Sequence, residues 1–190
     1  IDLSEKEYNS LTERINEIIE RDNISGIILQ DYNKGVLTER LIKDVISIAN
    51  GKSIPVGVDP KKKNFLAYKN VSLFKPNLKE LKEGLGINFK HDIIEEILKA
   101  VDILHDKLNC RYIMTTLSER GVLIKDYEKG IYHHIPAHLR QIADVSGAGD
   151  TVLSVAMLCL VNQQDAYHIA ALSNLAGGLV CEELGAVPIN

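Results

Sequence analysis

The feature that most constrains this chain is a rhythm of short apolar runs, each followed by a polar loop and then an amphipathic stretch of helical length. Residues 24–29, 55–58, 71–74, 111–115, 122–124 and 131–135 read as strands, since they are too short and too uniformly apolar for helices. Between and around them the helical signals are local and physical. Ser4 with Glu7 forms a capping box, and Tyr8, Leu11, Ile15, Ile18 and Ile19 share one face of a helix that runs to about Arg21. Thr38 caps a second helix, closed by Gly51. A short helix is expected over residues 78–83, with Gly84 and Gly86 as breakers, and a long one over 91–108. Two more are expected over 150–160 and 166–182, and residues 127–130 read as a hairpin turn. Strands alternating with helices of this length predict βαβ units, and so an α/β fold with a doubly wound, mainly parallel sheet.

Charge narrows the function classes. Lys and Arg number 22 against 26 Asp and Glu, a formal net charge of -4. A protein that depends on phosphate-backbone contacts is normally basic or carries a basic stripe, so no nucleic-acid partner is expected. The run Lys61-Lys62-Lys63 reads as a solvated loop. No apolar stretch approaches the length of a membrane span. Cys110, Cys159 and Cys181 are too far apart for a metal or redox motif and read as reduced thiols, which points to a cytoplasmic setting. Among the six histidines, His133 and His134 are neighbours on a strand and so face opposite ways. His91, His105, His138 and His168 lack a partner at ligand spacing, so no histidine metal site is expected.

In open α/β sheets ligands bind beyond the carboxyl ends of the strands. Four such loops carry chemistry: residues 31–35, 59–61, 77–80 and 144–151. The last is the sharpest. Gly147, Ala148 and Gly149 precede an apolar helix, so bare N–H groups and the positive helix end together suit an anion. Asp150 beside them can take a proton from an attacking hydroxyl while those N–H groups hold charge on a transferring phosphoryl group. The loop is neither a GxGxxG dinucleotide fingerprint nor a GxxxxGK[ST] phosphate loop. It also admits a plainer reading, a tight turn with a helix-terminal acid. Likewise Asn77 and Glu80 are either a site pair on one side of a turn or a capping-box-like N-cap and N3 pair.

Asp144-Val145-Ser146-Gly147-Ala148-Gly149-Asp150-Thr151 resembles the C-terminal signature of the ribokinase-like, PfkB-type carbohydrate kinases. Within that family, residues 29–35 (LQDYNKG), 58–61 (VDPK) and 76–80 (PNLKE) resemble the bacterial heptose 7-phosphate kinases of ADP-heptose and lipopolysaccharide core synthesis. Residues 118–121 (SERG) and the stretch from Ser173-Asn174 to Leu184-Gly185 follow in the same order.

The resemblance implies ATP and Mg²⁺ as cofactors, K⁺ as a further candidate, and a sugar phosphate as the small-molecule partner. It makes Asp150 the catalytic base and Gly147, Ala148 and Gly149 the anion hole. Asn77, Leu78, Lys79 and Glu80 become a nucleotide stretch, with Glu80 reaching Mg²⁺ through water. Thr116, Ser118 and Gly121 would lie near the nucleotide and Asn174 near the adenine. Lys34 is a candidate for substrate or phosphate, and Asp144 and Ser146 for a monovalent cation. A homodimer is a further candidate.

Departures from the pattern carry information too. Val145 stands where the family signature has Thr. The family's N-terminal glycine-rich sugar-binding stretches and small β lid find no counterpart, and no HxGH-like nucleotidyltransferase motif is present. Residues 1–190 are therefore expected to be a single, partial kinase domain carrying the ATP and catalytic-base portion. Other acceptors (a hexose, nucleoside or vitamin) and a non-catalytic nucleotide-binding module remain open alternatives.

Overall fold

A computed structural model describes residues 2–137 and 143–185, so His138 lies outside the described residues. Its frame is one mixed six-stranded sheet: β1 (Ile27–Gln30), β2 (Val56–Asp59), β3 (Leu73–Phe74), β4 (Tyr112–Thr116), β5 (Val122–Asp126) and β6 (Ile131–Ile135). The strands stand side by side in chain order. The first three pairings are parallel, and β4–β5 and β5–β6 are antiparallel.

The helices explain the parallel half. α2 (Glu39–Gly51) connects β1 to β2, and α3 (Leu78–Leu85) and α4 (Ile94–Leu108) connect β3 to β4. Parallel neighbours need such crossovers. After β6 the chain returns across the sheet, so that α5 (Ala148–Val161) packs on β1 and β2 and α6 (Ala166–Val180) on β5 and β6. Both faces are thereby covered. Ile113 and Leu123 point into the core shared with α1 (Glu5–Arg21) to α4, while Tyr112, Met114, Val122 and Ile124 point into the core shared with α5 and α6. Strand periodicity requires this alternation, and burial on both faces explains the continuous apolar runs of the inner strands, whereas β6, half-buried to exposed, carries His133 and His134.

Most caps form as expected. Ser4 and Glu7 exchange both bonds of a capping box, and the Thr38 hydroxyl accepts from the Leu41 N–H. Three local readings need correction. Gly51 is helical; the chain leaves α2 through Lys52, and the left-handed residue is Ser53, with φ of 56°. Gly84 sits inside α3 rather than breaking it. Its missing side chain makes room for the Phe65 ring, which a Cβ there would approach to 2.2 Å. Gly86, with φ of 66°, does end that helix. Finally, residues 61–63 are not simply solvated: Lys62–Asn64 form a 3₁₀ turn, and Lys61 is tied into an ion-pair network.

Glycine also sets the depth of α5. A Cβ on Gly57 of β2 would fall 2.4 Å from Met157 Sδ, so only glycine lets α5 seat this close to the sheet. That seating brings the start of α5 to the carboxyl ends of β1 and β2. Among the described residues no helix is long and apolar enough to cross a membrane.

Candidate active site

The carboxyl ends of β1 to β4, the start of α5 and the middle of α6 enclose a cleft of about 940 Å³. Asn77, Leu78, Lys79, Glu80, Thr116, Ser118, Gly121, Ala148, Gly149, Asp150 and Asn174 all line it, converging from four separate stretches of chain. Lys34 is exposed and is not among the lining residues; nor are Asp144, Ser146 and Gly147.

One wall is charged and dry. Lys75 at the end of β3 is 3% exposed and pairs with Asp59 at 3.1 Å. Asp59 also receives Lys61 at 3.3 Å, and Lys61 bonds Glu80. Burial alone would lower the Lys61 pKa, but the hydrogen bond to Glu80 and the charge of Asp59 raise it above its ordinary value. The Asn77 side chain accepts from the Glu80 N–H at 2.8 Å, and Glu80 Oε2 accepts from the Asn77 N–H at 2.9 Å. The capping-box geometry is therefore real, and it leaves Oε1 of the same carboxylate on Lys61. Thr116 joins this wall by donating its N–H to the Pro76 carbonyl at 3.1 Å.

The facing wall is the start of α5. Gly147, with φ of 79°, is the N-cap and offers no side chain, whereas α1, α2, α3 and α6 are all capped by side chains. The first-turn N–H groups of α5 thus lack a side-chain acceptor and sit at the positive helix end. A Cβ on Gly149 would stand 3.6 Å from both Asp59 Oδ2 and Lys75 Nζ, so the two walls meet here. Half-buried Asp150 accepts a hydrogen bond at 2.7 Å from the hydroxyl of Tyr32, on the loop after β1. That bond is the first cause of the raised Tyr32 pKa.

The remaining candidates have plain geometries. Asn174 donates its amide to the Pro136 carbonyl at 2.9 Å, holding the segment after β6 against α6. Ser118 has φ of 55° and is exposed at the cleft mouth. Asp144 Oδ1 accepts from the Ser146 N–H and hydroxyl, and Oδ2 accepts from the Gly185 N–H. Among the described residues, no group of three or more His, Cys, Asp and Glu could hold a metal ion. His105 stacks on Tyr127, His133 packs edge-on to Tyr167, and His134 bonds the Arg120 carbonyl.

Sequence reasoning singled out the loops bearing Asp59 and Tyr32 but gave these residues no role, and it assigned none to Lys75. The available signal was a charged residue closing each of two fully apolar strands, which is costly unless that charge is paired in the fold.

Comparisons with known proteins identify the family and the fold. The profile for "pfkB family carbohydrate kinase" matches residues 17–190. The chain is 35% identical over 182 residues to the "Bifunctional protein HldE" of Campylobacter curvus, covering 96% of this chain and 37% of that protein. It is 36% identical over 184 residues to that of Aliarcobacter butzleri, covering 97% and 37%. The chain thus spans little more than a third of these curated relatives. Among solved structures, phosphofructokinase-2 from Escherichia coli in complex with potassium superposes with a TM-score of 0.84 at 21% identity, over 97% of this chain and 58% of that one. Arabidopsis thaliana ribokinase complexed with ribose and ATP superposes at 0.72 and 17% identity, over 97% and 55%. These likenesses show a ribokinase-like fold, and with the profile match they establish that the chain belongs to the pfkB family of carbohydrate kinases.

Proposed function

We propose that this chain carries the nucleotide-phosphate and catalytic-base walls of an ATP-dependent sugar kinase. The observation that carries the reading is Asp150 in the first turn of α5, directly after an uncapped Gly147–Ala148–Gly149 helix start and across from a lysine-bearing wall. In the proposed reaction, Asp150 takes the proton of a sugar hydroxyl as its oxygen attacks the γ-phosphorus of ATP. The bond from that phosphorus to the β–γ bridging oxygen breaks and ADP leaves. The N–H groups of residues 147–149 hold charge on the transferring group, where preorganised donors act most strongly. Asn77 to Glu80, Thr116, Ser118 and Gly121 would flank the nucleotide, and Asn174 would lie by the adenine.

Mg²⁺ would neutralise charge on the β- and γ-phosphates when bound. It is normally held by phosphates and several waters with few protein ligands. The carboxylate of Glu80, beside the phosphate wall and already bonded to Lys61, fits such a water-mediated role. Asp144 and Ser146 are the residues proposed for a monovalent cation, and Lys34 for the sugar phosphate.

For the acceptor we propose heptose 7-phosphate, converted to the 1,7-bisphosphate on the route to ADP-heptose. Similarity to the HldE proteins over nearly all of this chain supports it, as do the DYNKG and DPK stretches. The test is ADP release by the full-length protein with ATP and heptose 7-phosphate, beside a panel of hexoses, nucleosides and vitamins. Asp150→Asn is expected to lower kcat by about 10²–10⁴-fold. Full activity in that variant would remove Asp150 from the chemistry, and preference for another acceptor would replace the heptose.

A further inference from the structure

Tyr32 is an exposed aromatic residue, 59% accessible, at a place where solvent alone would leave its side chain free. Instead its hydroxyl reaches across the cleft to Asp150 Oδ2 at 2.7 Å, between residues 118 apart in the chain. We infer that Tyr32 is a positioning residue for the base: it holds one oxygen of the Asp150 carboxylate and leaves Oδ1 to receive the acceptor's proton. This inference rests on the proposed role of Asp150.

Three features of the fold support it. First, the loop that carries Tyr32 is anchored. Asp31 is 2% exposed, and its Oδ1 accepts from the Asn33 N–H at 2.6 Å while its Oδ2 accepts from the buried Tyr68 hydroxyl at 2.8 Å. Asn33 and Gly35 adopt φ of 54° and 91°, and Gly35 accepts the Leu3 N–H at 3.2 Å. A buried carboxylate is costly, and here its two bonds fix the backbone on either side of Tyr32. Burial pushes the Tyr68 pKa up, followed by its hydrogen bond to Asp31, so that phenol stays a donor at neutral pH.

Second, the main chain of Asp150 is fixed by α5, and the Ser154 hydroxyl bonds its carbonyl at 2.8 Å. Among the described residues, the Tyr32 phenol is the one hydrogen-bond donor found on the Asp150 carboxylate. A side chain in the first turn of a helix otherwise samples several rotamers. Third, the contact joins the loop after β1 to the start of α5, so it also sets the distance between the side of the cleft that bears Tyr32 and the anion-binding helix end. A base must lie within hydrogen-bond reach of its proton, and small misplacements cost large factors in rate.

A double-mutant cycle on the full-length protein separates positioning from binding and from general structure. Kinetics are measured with ATP and heptose 7-phosphate for wild type, Tyr32→Phe, Asp150→Asn and the double variant, with ADP release as the readout. Where that sugar is not turned over, the best acceptor of the panel replaces it.

Tyr32→Phe keeps the ring and loses only the hydroxyl. It is expected to melt as wild type does, to lower kcat by about 10-fold, the size of one lost hydrogen bond, and to leave both KM values within twofold. Added to Asp150→Asn, it is expected to cause no further loss, because it acts through that carboxylate. An unchanged kcat, a rise in the sugar KM alone, or a full 10-fold loss in the Asp150→Asn background would each overturn the positioning role. Wild-type activity in Asp150→Asn would instead overturn the assignment of the base itself, so the two failures are distinct.

Discussion

On one side of the cleft, Asp59, Lys75, Lys61 and Glu80 interlock across β2, β3 and α3, and the Lys75–Asp59 pair is nearly closed to solvent. On the other side, α5 begins without a side-chain cap, and the turn before it, from Asp144 to Ser146, is half-buried to exposed and held by its own polar groups. The first wall has its charges paired in advance, so it presents a fixed field; the second begins without a side-chain cap, with the Ala148 N–H held only by the Val145 carbonyl at 3.3 Å, which leaves its positive helix end open to the anion proposed above. A cleft built this way spends its folding stability on the strand side and keeps its binding capacity on the helix side. The difference predicts that substitutions on the two walls will fail differently.

The strand wall should show the largest stability effect. Asp59→Asn leaves Lys75 buried without a charged partner, and removing one member of a buried pair costs about 3–5 kcal/mol. Urea denaturation should therefore show the midpoint falling steeply. Pairing the change with Lys75→Met should recover much of the loss, because it removes the buried cation that Asp59→Asn leaves without a charged partner. A single Asp59→Asn variant as stable as wild type would mean that the pair is not what holds this wall.

The helix wall depends on close approach. A Cβ on Gly177 of α6 would fall 2.5 Å from Val152 Cγ2 on α5, and both residues line the cleft. Gly177→Ala is expected to cost about 1–3 kcal/mol through overpacking. It should also raise the ATP KM by displacing the start of α5, while the strand wall is untouched. Equal losses of kcat and stability with an unchanged ATP KM would show that α5 shifts without disturbing the phosphate side.

These two walls were also unequally legible in the sequence. The helix wall is coded locally: Gly147, Ala148, Gly149 and Asp150 are contiguous, and their meaning lies in their order before an apolar run. The same holds for caps such as Ser4, Thr38 and Asn77, whose bonds reach only three residues, and for the apolar runs that became β1 to β6, found to within a few residues at their ends. The strand wall is coded in pairs brought together by the sheet. Lys61 looks like one of three solvated lysines until β2 and α3 place Asp59 and Glu80 beside it. Lys75 and Tyr32 are equally silent, because their partners lie in other strands or 118 residues away. Gly84 misled for a related reason: only tertiary structure shows that its missing side chain admits Phe65.

The smallest effect expected concerns the turn that leads into α5. Asp144 receives the Ser146 N–H and hydroxyl and the Gly185 N–H, and these bonds, the Ser146 N–H first, hold its carboxyl below the ordinary value of 3.8. A carboxylate depressed in the folded state contributes stability that is full above its unfolded value and is lost as pH falls through the folded one. Neutral pH therefore leaves the turn fully supported, and only acid below 3.8 should loosen it. Following the Ser146 amide resonance on lowering the pH should give a midpoint below 3.8, and Asp144→Asn should abolish that transition. At neutral pH the same variant should speed amide exchange at Ser146 and Gly185 while leaving Thr116 on the strand wall unchanged. A midpoint at or above 3.8, or exchange changes that spread to both walls, would mean that the turn is not an independent support of the α5 start.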